Sequence, residues 1–302
     1  MTGPASFGSV SSPRPPGILA RGACMGLADA VPGVSGGTMA LLLGIHPRLV
    51  RAISLLHPRL LRDLVGPERG AAWRTADLGF LVLLGLGLAT GLVAGAKVLV
   101  VTLHREPMLM AALLLGLVVG GVRAPARRVS WGPSAWTVAA GFGLFGLFVT
   151  VVQPVSAPTA AWFLPFAGAV AAVAMILPGI SGAYLLLLMG LYEPVLAAVA
   201  RLDLAVVALV GAGAVLGLLS FSRLLHHLLE NHGSATHAAM VGLLVGSLGR
   251  LWPWRTEAGF AAGGPAVPDT GFLEVALAVA VGILAVRALE AATSPSETAK
   301  GA

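Results

Sequence analysis

Along this chain the apolar residues neither alternate with polar ones nor fall on one helical face. They run in long blocks. Six blocks, at 77–103, 107–122, 134–153, 203–225, 234–252 and 271–289, carry almost no charge. Each approaches or exceeds the roughly 20 apolar residues that a helix needs to cross a bilayer. Two further apolar stretches, 17–45 and 160–196, are interrupted by Pro-Gly. The pattern predicts an all-α polytopic membrane protein, with a basic loop at 46–76 and polar tails at 1–16 and 290–302. The opening MTGPASFGSVSSPRPPG lacks the basic start, apolar stretch and cleavage site of a signal peptide, so it is expected to be retained and frayed.

Composition agrees. Of 302 residues, 57% are hydrophobic and 11% charged, against roughly 25% charged in a soluble domain. The net charge of +6 suggests a nucleic-acid partner only until the charges are located. They sit in loops, where basic residues set membrane topology, and no nucleic-acid partner is expected. The single cysteine, Cys24, excludes an intrachain disulfide. His226, His227, His232 and His237 lack regular ligand spacing, so neither a metal nor a cofactor is expected.

The chain also repeats itself. Leu177-Pro178-Gly179-Ile180-Ser181-Gly182-Ala183-Tyr184 restates Val31-Pro32-Gly33-Val34-Ser35-Gly36-Gly37-Thr38 at an offset of 146. The match continues through Leu41/Leu187, Leu42/Leu188 and Gly44/Gly190. Further on the offset is 126, pairing Asp77/Asp203, Gly85/Gly211, Gly87/Gly213, Gly91/Gly217, Lys97/Arg223, Gly116/Gly242 and Gly120/Gly246. Matched Gly, Pro, Ser, Asp and basic positions in one order point to duplication rather than chance likeness among apolar segments. Repeat 1 is placed at 17–122 and repeat 2 at 160–252, with 134–153 as a connecting helix and 271–289 as a final helix.

If 17–45 and 160–196 turn back inside the membrane, the second repeat starts on the opposite face and the two are inverted. One side then collects 14 of the 19 Lys and Arg, with Arg105, Arg201, Arg250 and Arg255 opposite and Lys97 inside a helix. If both segments span, the copies are parallel and the split is 12 to 6. The positive-inside rule favours inversion, with re-entrant segments and both termini cytoplasmic.

The Pro-Gly-Ser-Gly segments then acquire a physical role. Non-helical backbone at membrane depth survives only when buried in protein or lining a polar cavity. Pro32 and Pro178 stop one half-helix, and the next, Thr38 to Ile45 in the first copy, begins with unsatisfied N–H groups and a partial positive charge. Half-helix ends meeting near the midplane hold anionic groups in many inverted-repeat transporters. Close helix packing through small residues is the competing explanation.

Both motifs, with Gly22-Ala23-Cys24-Met25-Gly26-Leu27-Ala28-Asp29 before the first, Ala174-Met175 before the second and Gly190-Leu191-Tyr192-Glu193 after it, resemble the polyprenyl-phosphate transporter family. The likeness extends through Phe221-Ser222-Arg223-Leu224-Leu225 and from Gly246-Ser247-Leu248 to Leu251-Trp252-Pro253-Trp254, covering about 17–289. It implies translocation of undecaprenyl phosphate from the outer to the inner leaflet for reuse in envelope synthesis. His46-Pro47 departs from the family's usual aromatic followed by Glu, while Glu193 keeps the acid in the second copy.

A lipid phosphate needs N–H donors, hydroxyls and a cation. Gly33, Ser35, Gly36, Gly37 and Thr38 offer the first two in one copy, and Gly179, Ser181 and Gly182 in the other. Lys97 and Arg223 are the candidate cations, with snorkelling to the interface as their alternative role. Asp29 has Met175 for a counterpart and is a candidate for charge pairing or proton coupling, with helix capping as the alternative. Glu193 is the second candidate acid. Asp77 and Asp203 read as N-caps, and Trp252 and Trp254 as interfacial anchors.

Gly33-Val34-Ser35-Gly36-Gly37 also fits the GxSxG nucleophile elbow of serine hydrolases. A nucleophilic serine needs a base. The second copy breaks the pattern at Ala183 and no histidine lies inside a predicted span, so no enzyme is expected. A secondary transporter of a small anionic solute, using the same half-helix ends, remains the alternative function. Expected partners are the polyprenyl phosphate and the lipid bilayer, with a homo-oligomer left open.

Overall fold

The computed structural model describes residues 15–29, 35–67, 69–152, 161–201, 203–255 and 265–293. Among them the regular structure is helical, without strands. The first half contains α1 (Pro15–Asp29), α2 (Gly36–Leu42), α3 (His46–Ser54), α4 (Pro58–Val65), α5 (Arg69–Thr75), α6 (Leu78–Arg105), α7 (Pro107–Gly121), α8 (Arg123–Ala126) and α9 (Pro133–Val151). The second contains α10 (Phe163–Ile176), α11 (Gly182–Leu188), α12 (Tyr192–Ala200), α13 (Leu204–Asn231), α14 (Gly233–Ser247), a 3-10 turn at Leu248–Leu251, and α15 (Phe272–Thr293). Among the described residues, Pro107–Ala126, Pro133–Val151 and Leu204–Asn231 are long and apolar enough to cross a membrane. The number rises to five if each of two sharply bent helix pairs forms one span. Together these features make a multi-pass membrane protein.

Helix boundaries recur at the offsets seen in the sequence. Helices α2 and α3 return as α11 and α12 after 146 residues, and α6 and α7 as α13 and α14 after 126. The difference, about 20 residues, is taken up by α4 and α5. The region 46–76, expected as a loop, is therefore largely helical. Pro47 and Pro58 sit in first turns, where their fixed φ favours a helix start. In α3, Leu49, Val50 and Ile53 face the core while Arg51 is exposed, a helical period hidden by the density of charge. Helix α13 likewise runs six residues past the expected end at 225, because Leu228 and Leu229 continue its apolar spacing.

Packing contacts repeat as well. A Cβ on Gly22 would strike the carbonyl of Leu84, and one on Gly168 that of Val210. Gly87 lies against Leu19, and Gly213 against Pro165; Gly91 lies against Ala23, and Gly217 against Ala169. The paired residues advance together, so α1 runs parallel to α6 and α10 parallel to α13, with backbones close enough that only a hydrogen fits. Gly116 sits on Val279 and Gly242 on Ala139 in the same way. Helix α7 thus packs on α15 and α14 on α9. The segments 134–153 and 271–289, expected as a connector and a final helix, occupy matching places in the packing.

Ser130 N–H donates to the Ser234 hydroxyl at 2.9 Å, so the chain just after α7 and α8 meets the start of α14. Helix α7 runs toward that end of the molecule, and α14 runs away from it. The chain also doubles back at the second motif. Gly182, at the start of α11, packs on the carbonyl of Ala171 in α10, and α11 meets α12 at a bend of 113°. Gly44 and Gly190 close the two short helices with φ of 71° and 66°, left-handed values that glycine adopts without steric cost. The N–H of the next residue reaches back to Ala40 in the first copy, at 2.9 Å, and to Leu186 in the second, at 2.8 Å.

Candidate functional site

The short helices α2 and α11 begin alike. Ser35 caps α2, its hydroxyl accepting the Gly37 N–H at 3.1 Å, and Ser181 caps α11, accepting the Tyr184 N–H at 3.4 Å. Extended backbone at each serine turns the chain into its helix and brings the side chain over the first free N–H groups. Pro32 and Gly33 lie outside the described residues. Of Lys97 only the backbone, within α6, is described.

The structure brings the two motifs into direct contact. The Ser35 hydroxyl reaches the carbonyls of Met175 at 3.3 Å and Leu177 at 3.5 Å. The Gly179 N–H donates to the Thr38 hydroxyl at 2.9 Å. Gly37 packs on the carbonyls of Met175 and Ile176, where a side chain would not fit. Ser35, Thr38 and Ser181 are all buried. These hydrogen bonds satisfy broken backbone that lipid could not solvate. Gly179 itself has φ of 91° and lies against the backbone of Leu243 and Leu244 in α14.

The copies differ where they carry charge. In the first, the Asp29 carboxylate accepts the Gly36 N–H at 2.6 Å and lies over the start of α2. It thus occupies the place that an anion takes at a helix N-terminus. In the second, Met175 stands at that position, partly exposed at 38%. Glu193 lies in the first turn of α12 and is exposed.

Arg223 is held away from the motifs. Its Nη2 donates to the Leu56 carbonyl at 2.7 Å and its Nε to the Ser54 carbonyl at 3.4 Å, tying α13 to the C-terminal end of α3. Asp203 caps α13 by accepting the Ala205 and Val206 N–H groups. Asp77, expected to cap α6 in the same way, carries its carboxylate to Arg48, 2.6 Å from Nε. The Trp252 and Trp254 indoles donate to the Ala266 and Thr270 carbonyls, so they also pin the segment that leads into α15. Among the described residues, no cluster of His, Cys, Asp or Glu is arranged to hold a metal.

Three residues important to this region are not read as site residues from the sequence. His46 is buried, with Nε2 3.0 Å from the Ile176 carbonyl, adding another tie between the copies. Tyr184 stands where the first copy has Thr38, and Arg250 lies over its ring, with Cζ 4.3 Å from the centroid. Both line a cleft with Gly179, Ser181, Thr150 and Ser247. In the sequence Arg250 counts only as a charge on the sparsely charged face, at the end of the block 234–252. The available signal was its spacing, three and four residues beyond Ser247 and Gly246, whose helix face packs inward.

Residues 25–263 match a family model described as VCA0040-like, undecaprenyl phosphate translocase-like. The chain belongs to this family. A protein of Vibrio cholerae serotype O1 named polyprenyl-phosphate transporter is 35% identical over 238 residues, covering 78% of this chain and 77% of its own length. One of Staphylococcus aureus with the same name is 28% identical over 253 residues, covering 78% of this chain and 85% of its own. No solved structure matches. The family is named for transport, so the GxSxG reading of Ser35 as a nucleophile falls away.

Proposed function

We propose that this protein carries a polyprenyl phosphate, undecaprenyl phosphate, from the outer to the cytoplasmic leaflet of the bacterial inner membrane for reuse in cell-envelope synthesis. The observation that carries the reading is the joining of the two Ser-Gly motifs through Ser35, Thr38, Met175 and Gly179. Two half-helix starts gathered at one place give a single phosphate access to N–H donors from both halves of the molecule. The names of the two relatives supply the cargo.

Helix direction supports the inverted, re-entrant arrangement as part of this reading. Helix α7 approaches the end of the molecule from which α14 departs, as expected of inverted repeats. The return of α11 along α10 favours a re-entrant hairpin over a broken span. With the basic segments cytoplasmic, both termini lie inside and Arg250 lies toward the outer face. The headgroup site comprises Gly33, Ser35, Gly36, Gly37 and Thr38 with Gly179, Ser181 and Gly182. Lys97 and Arg223 are retained as candidate cations, although Arg223 must leave its carbonyl partners to reach a headgroup.

Transport then consists of exchanging the hydrogen bonds between the motifs for bonds to phosphate, first from one side and then from the other. The polyprenyl tail stays in lipid beside faces such as that of α9, where Leu144 and Phe148 are 68% and 61% exposed. Asp29 supplies the charge change for proton coupling, because its carboxylate competes with phosphate for the start of α2. The test is cargo choice in proteoliposomes offered undecaprenyl phosphate in one leaflet and radiolabelled inorganic phosphate outside. Lipid movement without uptake of the free anion is expected. Uptake of the free anion without lipid movement would overturn the reading in favour of a small-anion transporter.

A further inference from the structure

The cleft beside the second motif holds the charge that the first motif lacks. Arg250 is 5% exposed and sits in the 3-10 turn that follows directly on α14, so it is buried in protein rather than held in a solvated loop. Burying a guanidinium there is costly, so such residues mark functional paths by default. Its ring partner, Tyr184, is fixed at both ends. The Tyr184 N–H donates to Ser181 and the phenol donates to the Val149 carbonyl at 3.4 Å. Arg250 is thus held over the ring face, where a planar guanidinium stacks well, and it lines the same cleft as Ser181 and Ser247.

The remaining polar groups are hydroxyls. Ser247 donates to Leu244 and Thr150 to Leu147, each within its own helix. Rotation about one side-chain bond redirects either donor to a ligand. Arg255 Nη1 donates to the Arg250 carbonyl at 2.6 Å, which fixes the turn that carries Arg250. The arrangement is absent from the first copy. Thr38 stands at the position of Tyr184, Ala124 at that of Arg250, and the Asp29 carboxylate already covers the start of α2.

We infer that Arg250, seated on Tyr184, is the residue that grips the phosphate of the incoming lipid, with Ser181, Ser247 and Thr150 completing its hydrogen bonds. The planar fork suits bidentate contact with phosphate oxygens. In the proposed topology Arg250 faces the side on which the spent carrier is found, so this is a capture site, and the motif contact beyond it belongs to the later passage. The inference rests on the polyprenyl-phosphate reading above.

The experiment is isothermal titration of farnesyl phosphate, and of farnesol as the neutral control, into the full-length protein in detergent. Wild type, Arg250→Gln, Arg250→Lys and Arg59→Gln are compared, Arg59 being exposed on α4. Wild type is expected to prefer farnesyl phosphate over farnesol, and Arg250→Gln to weaken farnesyl phosphate binding about tenfold or more while farnesol binding stays the same. Arg250→Lys, which keeps the charge and loses the fork, is expected to weaken it severalfold, and it decides the matter if the Gln variant does not fold. Arg59→Gln is expected to bind as wild type. Wild type that binds both compounds equally, or neither, would overturn the cargo reading. Preference for farnesyl phosphate that survives intact in Arg250→Gln or Arg250→Lys would overturn the role of Arg250 alone.

Discussion

The Gly179 N–H donates to the Thr38 hydroxyl at 2.9 Å, a bond between residues 141 apart that joins the two Ser-Gly motifs. Replacing Thr38 with Val keeps the shape and removes the acceptor. The orphaned N–H is expected to cost about 1–3 kcal/mol, while Thr38→Ser retains the bond. Thermal unfolding in detergent checks this. Equal melting of wild type and the Val variant would show that the bond does not hold the copies together.

Glycine at 179 is required twice over. Its φ of 91° lies in the left-handed region, and a Cβ would come within 2.8 Å of the Leu243 carbonyl carbon. Gly44 shares the left-handed φ, at 71°, but has open space around it. Gly44→Ala is therefore expected to lose roughly 1–2 kcal/mol from backbone strain alone, and Gly179→Ala clearly more. Their melting temperatures give the order, and equal losses would remove the close approach to α14 as a cause.

These two positions also show how far the fold was legible in the sequence. The Pro-Gly-Ser-Gly motif, its second copy and the register of the long helices could all be read, because lipid permits broken helices only under strict conditions and duplication leaves matched glycines. The helices between 46 and 76 could not, since their apolar face is short and crowded with arginines. Arg250 was missed for a different reason. A charge at the end of an apolar block reads as a loop residue, and only the inward face of Gly246 and Ser247, visible in the packing, shows it to be buried. Lys97 and Arg223 stand out in the sequence as cations that match in the repeat. For Arg223, the structure shows a tie to α3 that no spacing rule reports.

That tie makes its own prediction. Arg223 satisfies the Ser54 and Leu56 carbonyls at the end of α3, where a cation also complements the helix dipole. Arg223→Gln is expected to lower stability by about 1 kcal/mol. Calorimetry of the purified variant measures it. A fall in lipid binding with unchanged melting would contradict this tie and restore Arg223 as a headgroup cation.

Asp29 is the acid that the second copy lacks. Its bond to the Gly36 N–H can be kept by Asn, whose side-chain oxygen also accepts, so Asp29→Asn removes the charge and spares the cap. Proteoliposome transport by this variant is expected to lose its response to an imposed pH gradient. A response equal to that of wild type would take Asp29 out of the proton path.

The central claim is that the protein moves a polyprenyl phosphate between leaflets through the paired motifs. Leaflet-resolved measurement of undecaprenyl phosphate in liposomes tests it most directly, comparing wild type with the double variant Ser35→Ala/Ser181→Ala. The account predicts movement by wild type well above protein-free liposomes and a drop of about tenfold or more in the double variant, provided both reconstitute folded. That drop corresponds to about 1.4 kcal/mol of lost stabilisation along the path. No movement by folded wild type would contradict the function, and undiminished movement by the double variant would contradict the site.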